Sequence, residues 1–368
     1  MNYRISGRFT NSIAKLTGKE QKTVEPLVII TDRTNGSFTV IEHLYALAFQ
    51  KLGYEVKTVI QPNNAYESER LSTELRGHVV FHNTIGPNFS SIQGCVNVAL
   101  PVHEWSKYPK KWAESLSLFD QIWVTTEHVE TLLKDADTTA PILKLPPPLD
   151  LESIPQKQSW NSSEVFRFYF CGESHFRKGL HLLIPAFIEA FPKPRRATLT
   201  IKTGKACAWE SPREDIILIK ENWTREQCLN TYQHYDCYIS TSLGEGFGLP
   251  VAEAILAGLP IATNYWGGHK SLLKPGAFFE ISHIEILQPY ASKPEYFVPG
   301  QRCCFSEVSS ISGTLREIAE SDASQRRLMT EGAKKHLLST YGSDKCLAPI
   351  KDSLESLLAS SPKTNCDD

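Results

Sequence analysis

The chain predicts an α/β protein of two doubly wound, parallel-sheet domains. Three observations carry this. At 368 residues the chain is longer than one ordinary core needs. Short apolar runs alternate with helical stretches along most of its length, the βαβ pattern of a parallel sheet. The alternation is interrupted by the polar segment DLESIPQKQSWNSSE (150–164) and then restarts.

In the first half, LVII (27–30) reads as a buried strand, followed by the polar turn TDRTNGS and a helix near Val40–Leu52. Gly53 stops that helix, and EVKTVI begins the next strand. HVVF (78–81), VNVAL (96–100) and QIWVT (121–125) are further strands, with helices near 66–76 and 108–118. Three prolines in ILKLPPPLD (142–150) close this half, since neither element continues through them. The second half runs FRFYF (166–170), a helix from Gly179 to about Ala190, ATLTIK (197–202), IILI (216–219), a helix near 224–234 and CYIS (237–240). A helical tail follows from Thr314, with a last amphipathic helix at 344–359. The expected divisions are 1–24, 25–155, 156–343 and 344–368. Ligands of such sheets bind at the carboxyl ends of the strands, which directs attention to the loops 31–37, 82–88, 101–107, 171–178 and 241–249.

Composition narrows the function. Hydrophobic residues make up 41% and charged residues 22%, the proportions of a globular protein. A net charge of −2 gives no reason to expect nucleic acid as a partner. The nine cysteines are scattered without paired CxxC spacing, so no zinc site is expected. Reduced core thiols and the absence of a signal peptide or bilayer-length apolar run lead to the expectation of a cytoplasmic protein. Residues 1–24 stand apart: Ile5, Phe9, Ile13 and Leu16 share one helical face, with Arg4, Arg8, Lys15, Lys19 and Lys22 among them. This is the pattern of a basic amphipathic segment making peripheral contact with a membrane, although Gly7 and Gly18 weaken the helix. A frayed or docked terminus is the alternative.

The most informative stretch is SLGEGFGLPVAEAILAGLP (242–260). CYIS is a strand, and the loop at its carboxyl end contains Gly246 and Gly248, which discourage helix and let backbone approach a ligand closely. Pro250 suits the first position of a helix that Gly258 and Pro260 end. Glu245 therefore sits in the loop and Glu253 in the first turn, both expected to face one crevice. A helix start preceded by glycines attracts anions, while carboxylates beside it accept hydrogen bonds from sugar hydroxyls. A nucleotide sugar combines both features.

DCYISTSLGEGFGLPVAEAILAGLPIATNYWGG resembles the E-x7-E signature of the retaining, GT-B-fold glycosyltransferases of family 4, and CGESHFRKGLHLLIPAF resembles that family's G-R-x-x-x-x-K-G segment. The resemblance is specific over 166–268. It implies two Rossmann-like domains facing one another across a cleft, the last helix crossing back to the first domain, and transfer of a hexose from a nucleoside-diphosphate sugar to a hydroxyl acceptor (a glycan, lipid or polysaccharide precursor). It implies no cofactor, the nucleotide sugar being the donor substrate, and no metal, with retention at the anomeric carbon.

Residue by residue, it implies that Glu253 binds the ribose and Glu245 the transferred sugar. Backbone N–H groups of Gly246, Phe247, Gly248 and Leu249 would hold the sugar and distal phosphate, and Lys178 would neutralise the diphosphate. The family arginine falls on Glu173, so Arg177 is expected to supply the missing charge. The family's glutamate after the Gly267–Gly268 pair falls on Ser271. In VALPVHEW, His103 is similar in position to a family histidine near sugar and acceptor. Asn35, Gly36 and Ser37 occupy the place of the family's Gly-Gly loop, with Ser37 replacing the second glycine. Asp135-Ala136-Asp137 has the form of a DxD metal motif but no ligand loop around it, and reads as a solvated surface pair. The alternatives are a non-catalytic GT-B module that binds a sugar nucleotide or acts as a scaffold, for which Glu173 is the main support, and an epimerase or phosphorylase of the same fold.

Overall fold

The computed structural model describes residues 27–32, 36–149, 154–161, 164–194, 196–289 and 296–361. The amphipathic segment 1–24, Asn35 and part of the 150–164 linker lie outside them.

The first sheet is built from β1 (Leu27–Thr31), α1 (Ser37–Lys51), β2 (Val56–Ile60), α2 (Ala65–Glu74), β3 (Val79–Asn83), β4 (Val96–Ala99), α3 (Lys110–Leu116), β5 (Gln121–Val124), α4 (Glu127–Asp135) and β6 (Ile142–Lys144). Its strand order is β2-β1-β3-β4-β5-β6, parallel throughout. The central strands β1, β3 and β4 are buried at every position, which is why they read as continuous apolar runs instead of alternating ones. The segment taken only as a proline-rich close contributes β6, an edge strand completed before the prolines begin.

The second sheet uses β7 (Phe166–Cys171), α5 (Leu180–Ala190), β8 (Ala197–Thr203), β9 (Ile216–Lys220), α6 (Arg225–Thr231), β10 (Cys237–Ser240), α7 (Leu249–Leu256), β11 (Ile261–Thr263), α8 (His269–Leu272) and β12 (Phe279–Glu280). It is again parallel, in the order β12-β11-β10-β7-β8-β9. A small antiparallel pair, β13 (Ile284–Leu287) and β14 (Arg302–Phe305), follows. Then come α9 (Val308–Glu320), α10 (Ala323–Tyr341) and α11 (Ser343–Ser360). The helical tail thus begins at Val308, ahead of the expected Thr314.

The two domains share one core. Leu27, Tyr45, Phe49, Phe81 and Trp123 of the first sheet's layer pack in the same buried cluster as Val251 and Ile255 of α7 and Ile350 and Leu354 of α11. Polar contacts reinforce the junction. Tyr341 donates to the Thr125 carbonyl at 3.0 Å and accepts, through its own carbonyl, from Leu149 N–H at 3.2 Å. Ser353 on α11 donates to the Gln121 side chain at 2.8 Å. At the other end Asp236 ties the linker down: its carboxylate meets Lys157 Nζ at 3.3 Å and Arg167 Nε at 3.1 Å. The aspartate before CYIS is therefore a structural anchor.

Candidate active site

The carboxyl ends of β4, β7, β10 and β11 bring four loops together. Leu243 N–H donates to the Arg177 carbonyl at 2.7 Å, Gly268 N–H to the Glu245 carbonyl at 2.7 Å, and the Asn264 side chain to the Ser242 carbonyl at 2.8 Å. Gly179, with φ +73°, lies so close to the 241–249 loop that a Cβ would stand 2.1 Å from the Thr241 carbonyl oxygen. Only glycine fits there, on both conformational and steric grounds.

The glycines of the signature loop serve an approach that the sequence does not reveal. A Cβ on Gly246 would come within 2.9 Å of the His103 carbonyl oxygen, and one on Gly244 within 2.4 Å of that of Glu104. Thr126 of the first domain donates to the Gly246 carbonyl at 2.9 Å. The space at Gly246, expected to admit a ligand, is thus taken by backbone of the opposite domain.

The helix start also differs from expectation. Gly248 adopts φ +98° as N-cap, and Val251 and Ala252 N–H already bond its carbonyl at 3.0 and 3.1 Å. Helix α7 therefore begins at Leu249, Pro250 is its second residue and Glu253 its fifth, just past the first turn. Proline is accommodated because the N–H at its position has no partner within the helix. Phe247 turns into the core against Tyr341, ring centroids 5.3 Å apart.

Glu245 is the hub. Its Oε1 lies 2.5 Å from Lys178 Nζ and 2.7 Å from Ser242 Oγ; its Oε2 lies 3.2 Å from Arg177 Nη1. Arg177 also reaches Glu104 of the first domain at 3.0 Å. Burial alone would raise the Glu245 carboxyl, but Lys178 and Arg177 outweigh it and hold the group well below the carboxylate range. Burial pulls the Lys178 ammonium down, with Glu245 opposing. The two cations expected to meet a diphosphate are thus balanced here by two carboxylates.

Glu253 is held from the other side. Arg225 Nη1 lies 2.5 Å from Oε1 and the Tyr232 hydroxyl donates to Oε2 at 2.8 Å. Cys171 joins the two flanks: it lines a small recess with Lys178, Ser242, Glu245, Gly248 and His269, and Glu253 acts on its thiol electrostatically. His103 is buried between Tyr108 and Trp112, with centroids 5.1 and 6.2 Å away, and its Nε2 has no hydrogen-bond partner. Burial lowers its pKa, so the ring is neutral near pH 7.

Other candidates fall outside this cluster. Gly36 (φ +122°) and Ser37 are solvent-exposed at the carboxyl end of β1. Glu173 is exposed, its carboxylate resting over Gly204 at the end of β8. Asp135 and Asp137 lie at the end of α4, with Asp137 4.0 Å from Lys110 at the surface. Among the described residues no group of three His, Cys, Asp or Glu side chains could hold a metal, and no helix is long and apolar enough to cross a membrane.

Sequence reasoning missed Glu104, Arg225, Tyr232 and His269. The capping box Thr224–Gln227, T-R-E-Q in the sequence, marks the helix start that aims Arg225. For His269 the only signal was its place directly after the Gly267–Gly268 pair.

Residues 166–288 match the family model described as glycosyl transferases group 1. The UDP-N-acetylglucosamine–peptide N-acetylglucosaminyltransferase GtfA subunit of Streptococcus agalactiae is 31% identical over 111 residues, which is 29% of this chain and 22% of that protein. The match thus spans about a fifth of the curated relative's length. Among solved structures, Anabaena Alr3699/HepE in complex with UDP and glucose superposes with a TM-score of 0.67 at 14% identity, over 90% of this chain and 100% of that one. The sucrose-phosphate synthase of Thermosynechococcus elongatus gives 0.66 at 12% identity, over 91% and 100%. The pneumococcal O-GlcNAc transferase GtfA, in complex with UDP and GlcNAc, gives 0.55 at 18% identity, over 80% and 60%. The chain has the two-domain GT-B fold of glycosyltransferases, and its second domain matches their group 1.

Proposed function

We propose that this chain transfers a hexose from a nucleoside-diphosphate sugar to a hydroxyl acceptor, with retention at the anomeric carbon and without a divalent metal. The observation that carries the reading is the buried Lys178–Glu245–Arg177 cluster beside the start of α7. Lys178 and Arg177 exchange Glu245 for the diphosphate as the donor enters, and the start of α7 adds its positive end. Glu245, released from the cations, accepts from the sugar's hydroxyls, while Glu253 accepts from the ribose, oriented by Arg225 and Tyr232. Charge developing on the departing phosphate is stabilised by groups already in place, the largest single contribution in reactions of this type. The departing phosphate oxygen takes the acceptor's proton. UDP is the favoured nucleotide, because structures sharing the fold hold UDP and a sugar. The acceptor is a glycan, lipid or polysaccharide precursor.

A second reading has its own support. His103 is neutral with an unpartnered Nε2, the state required of a general base in an inverting reaction. Nucleotide release measured over a panel of donors tests transfer itself, and proton NMR of the fresh product decides between the two. A retained anomer supports the first reading; an inverted one replaces it with His103 as base. Activity lost in excess EDTA and restored by magnesium would overturn the metal-free part.

A further inference from the structure

His269 belongs to no role assigned above, yet it lines the same recess as Lys178 and Glu245. Its side chain is 1% exposed and its Nε2 has no hydrogen-bond partner. A buried polar atom left unpaired is costly and needs an explanation. The ring is held from behind: Nδ1 lies 3.3 Å from the Asn264 carbonyl oxygen and 3.2 Å from Thr263 Oγ1. A carbonyl only accepts, so the proton is assigned to Nδ1, where one N–H serves both oxygens. Nε2 is then a bare acceptor. The Cδ2–Nε2 edge packs against Gly248, where a Cβ would stand 2.9 Å from Cδ2 and 3.2 Å from Nε2. The residue that caps α7 thus lacks a side chain at the place where the imidazole edge comes forward. Burial lowers the ring's pKa, with Lys178 acting in the same direction and Glu245 against it, which keeps the ring neutral near pH 7.

We propose that His269 is a specificity-determining residue whose Nε2 accepts a hydrogen bond from a hydroxyl of the transferred sugar. The inference rests on the donor reading given above and adds a second acceptor beside Glu245 in the sugar subsite. A second acceptor beside Glu245 favours a sugar bearing free hydroxyls over its deoxy analogue, which leaves a buried acceptor unpaired.

The test compares affinities for UDP, GDP and ADP with those for their glucose, galactose, mannose and N-acetylglucosamine conjugates, by calorimetry on the full chain. His269→Phe keeps the ring's packing and removes the acceptor; His269→Gln restores a polar group at similar reach. The expected result is unchanged nucleoside diphosphate binding in His269→Phe, a sugar conjugate bound about tenfold more weakly, and recovery in His269→Gln. If the variants fold poorly, deoxy-sugar donors on the wild-type chain give the same answer, one position costing about tenfold. Equal sugar preference in wild type and His269→Phe, or no deoxy position with an effect, overturns the proposal. Failure of every nucleoside diphosphate to bind wild type overturns the donor reading instead.

Discussion

Replacing Glu245 by glutamine removes one of the two carboxylates that balance Arg177 and Lys178. The side chains are well enclosed, at 9% exposure for Glu245, 13% for Lys178 and 24% for Arg177. Opposite charges at these separations attract by about 5–7 kcal/mol at an effective dielectric of about 20, but desolvation offsets most of that. Breaking such a pair from one side costs about 3–5 kcal/mol, because the partner stays buried without compensation. The low end applies here, since glutamine still accepts from Ser242 and Glu104 still faces Arg177. For a 368-residue chain unfolding as one unit, a loss of about 3 kcal/mol corresponds to a fall in Tm of roughly 4 °C, at about 1.3 °C per kcal/mol. The pH dependence has a definite sign. Glu245 titrates below its unfolded value, so its contribution is present above the ordinary carboxylate range and fades as pH falls below about 4. Wild type and variant should therefore differ most at neutral pH and converge in acid. Pyrophosphate should raise the Tm of Glu245→Gln more than that of wild type, because it supplies the missing negative charge. Scanning calorimetry at pH 7.5 and pH 3, with and without pyrophosphate, measures all three effects. A Tm within about 1 °C of wild type at pH 7.5, with no added response to pyrophosphate, would refute the account of the cluster.

Glu253→Ala should raise the donor KM by roughly one to two orders of magnitude with folding intact, the loss of one or two charge-assisted bonds; an unchanged KM removes Glu253 from the ribose. Lys178→Ala should abolish donor binding, whereas Glu173→Arg should leave it intact or strengthen it, since the exposed Glu173 carboxylate rests over Gly204 and is not one of the groups balancing Lys178. Isothermal calorimetry distinguishes the two, and loss of binding in Glu173→Arg would give the acid a role of its own. His82 is fully buried against Asn97 at 2.9 Å, and burial brings its pKa down to about 4. Between the unfolded value near 6.5 and about 4 the unfolded chain binds one more proton at this site. Stability should therefore fall by about 1.4 kcal/mol per pH unit on acidification through that window. Urea midpoints of wild type and His82→Asn at pH 7.5, 5.5 and 4.5 should show a shallower slope in the variant.

The sequence by itself determined the two parallel sheets, because period and burial are written locally. Continuous apolar runs such as LVII and CYIS suit strands covered on both faces, and the helices between them carry their own caps and stops. It also placed Glu245 and Glu253 around a helix start, since glycines and a proline at fixed offsets constrain backbone wherever they occur. What it left undecided were contacts between residues far apart in the chain. That Gly246 lies against His103, that Arg177 divides itself between Glu104 and Glu245, and that Arg225 holds Glu253 depend on loops 28 to 143 positions apart meeting at the strand ends. The state of charge followed the same division. Arg177 and Lys178 are legible as cations, but only the packed loops decide that carboxylates already balance them. His269 shows the limit most clearly, because a histidine after two glycines says nothing until β11, α7 and α8 bury its ring and leave one nitrogen unpaired.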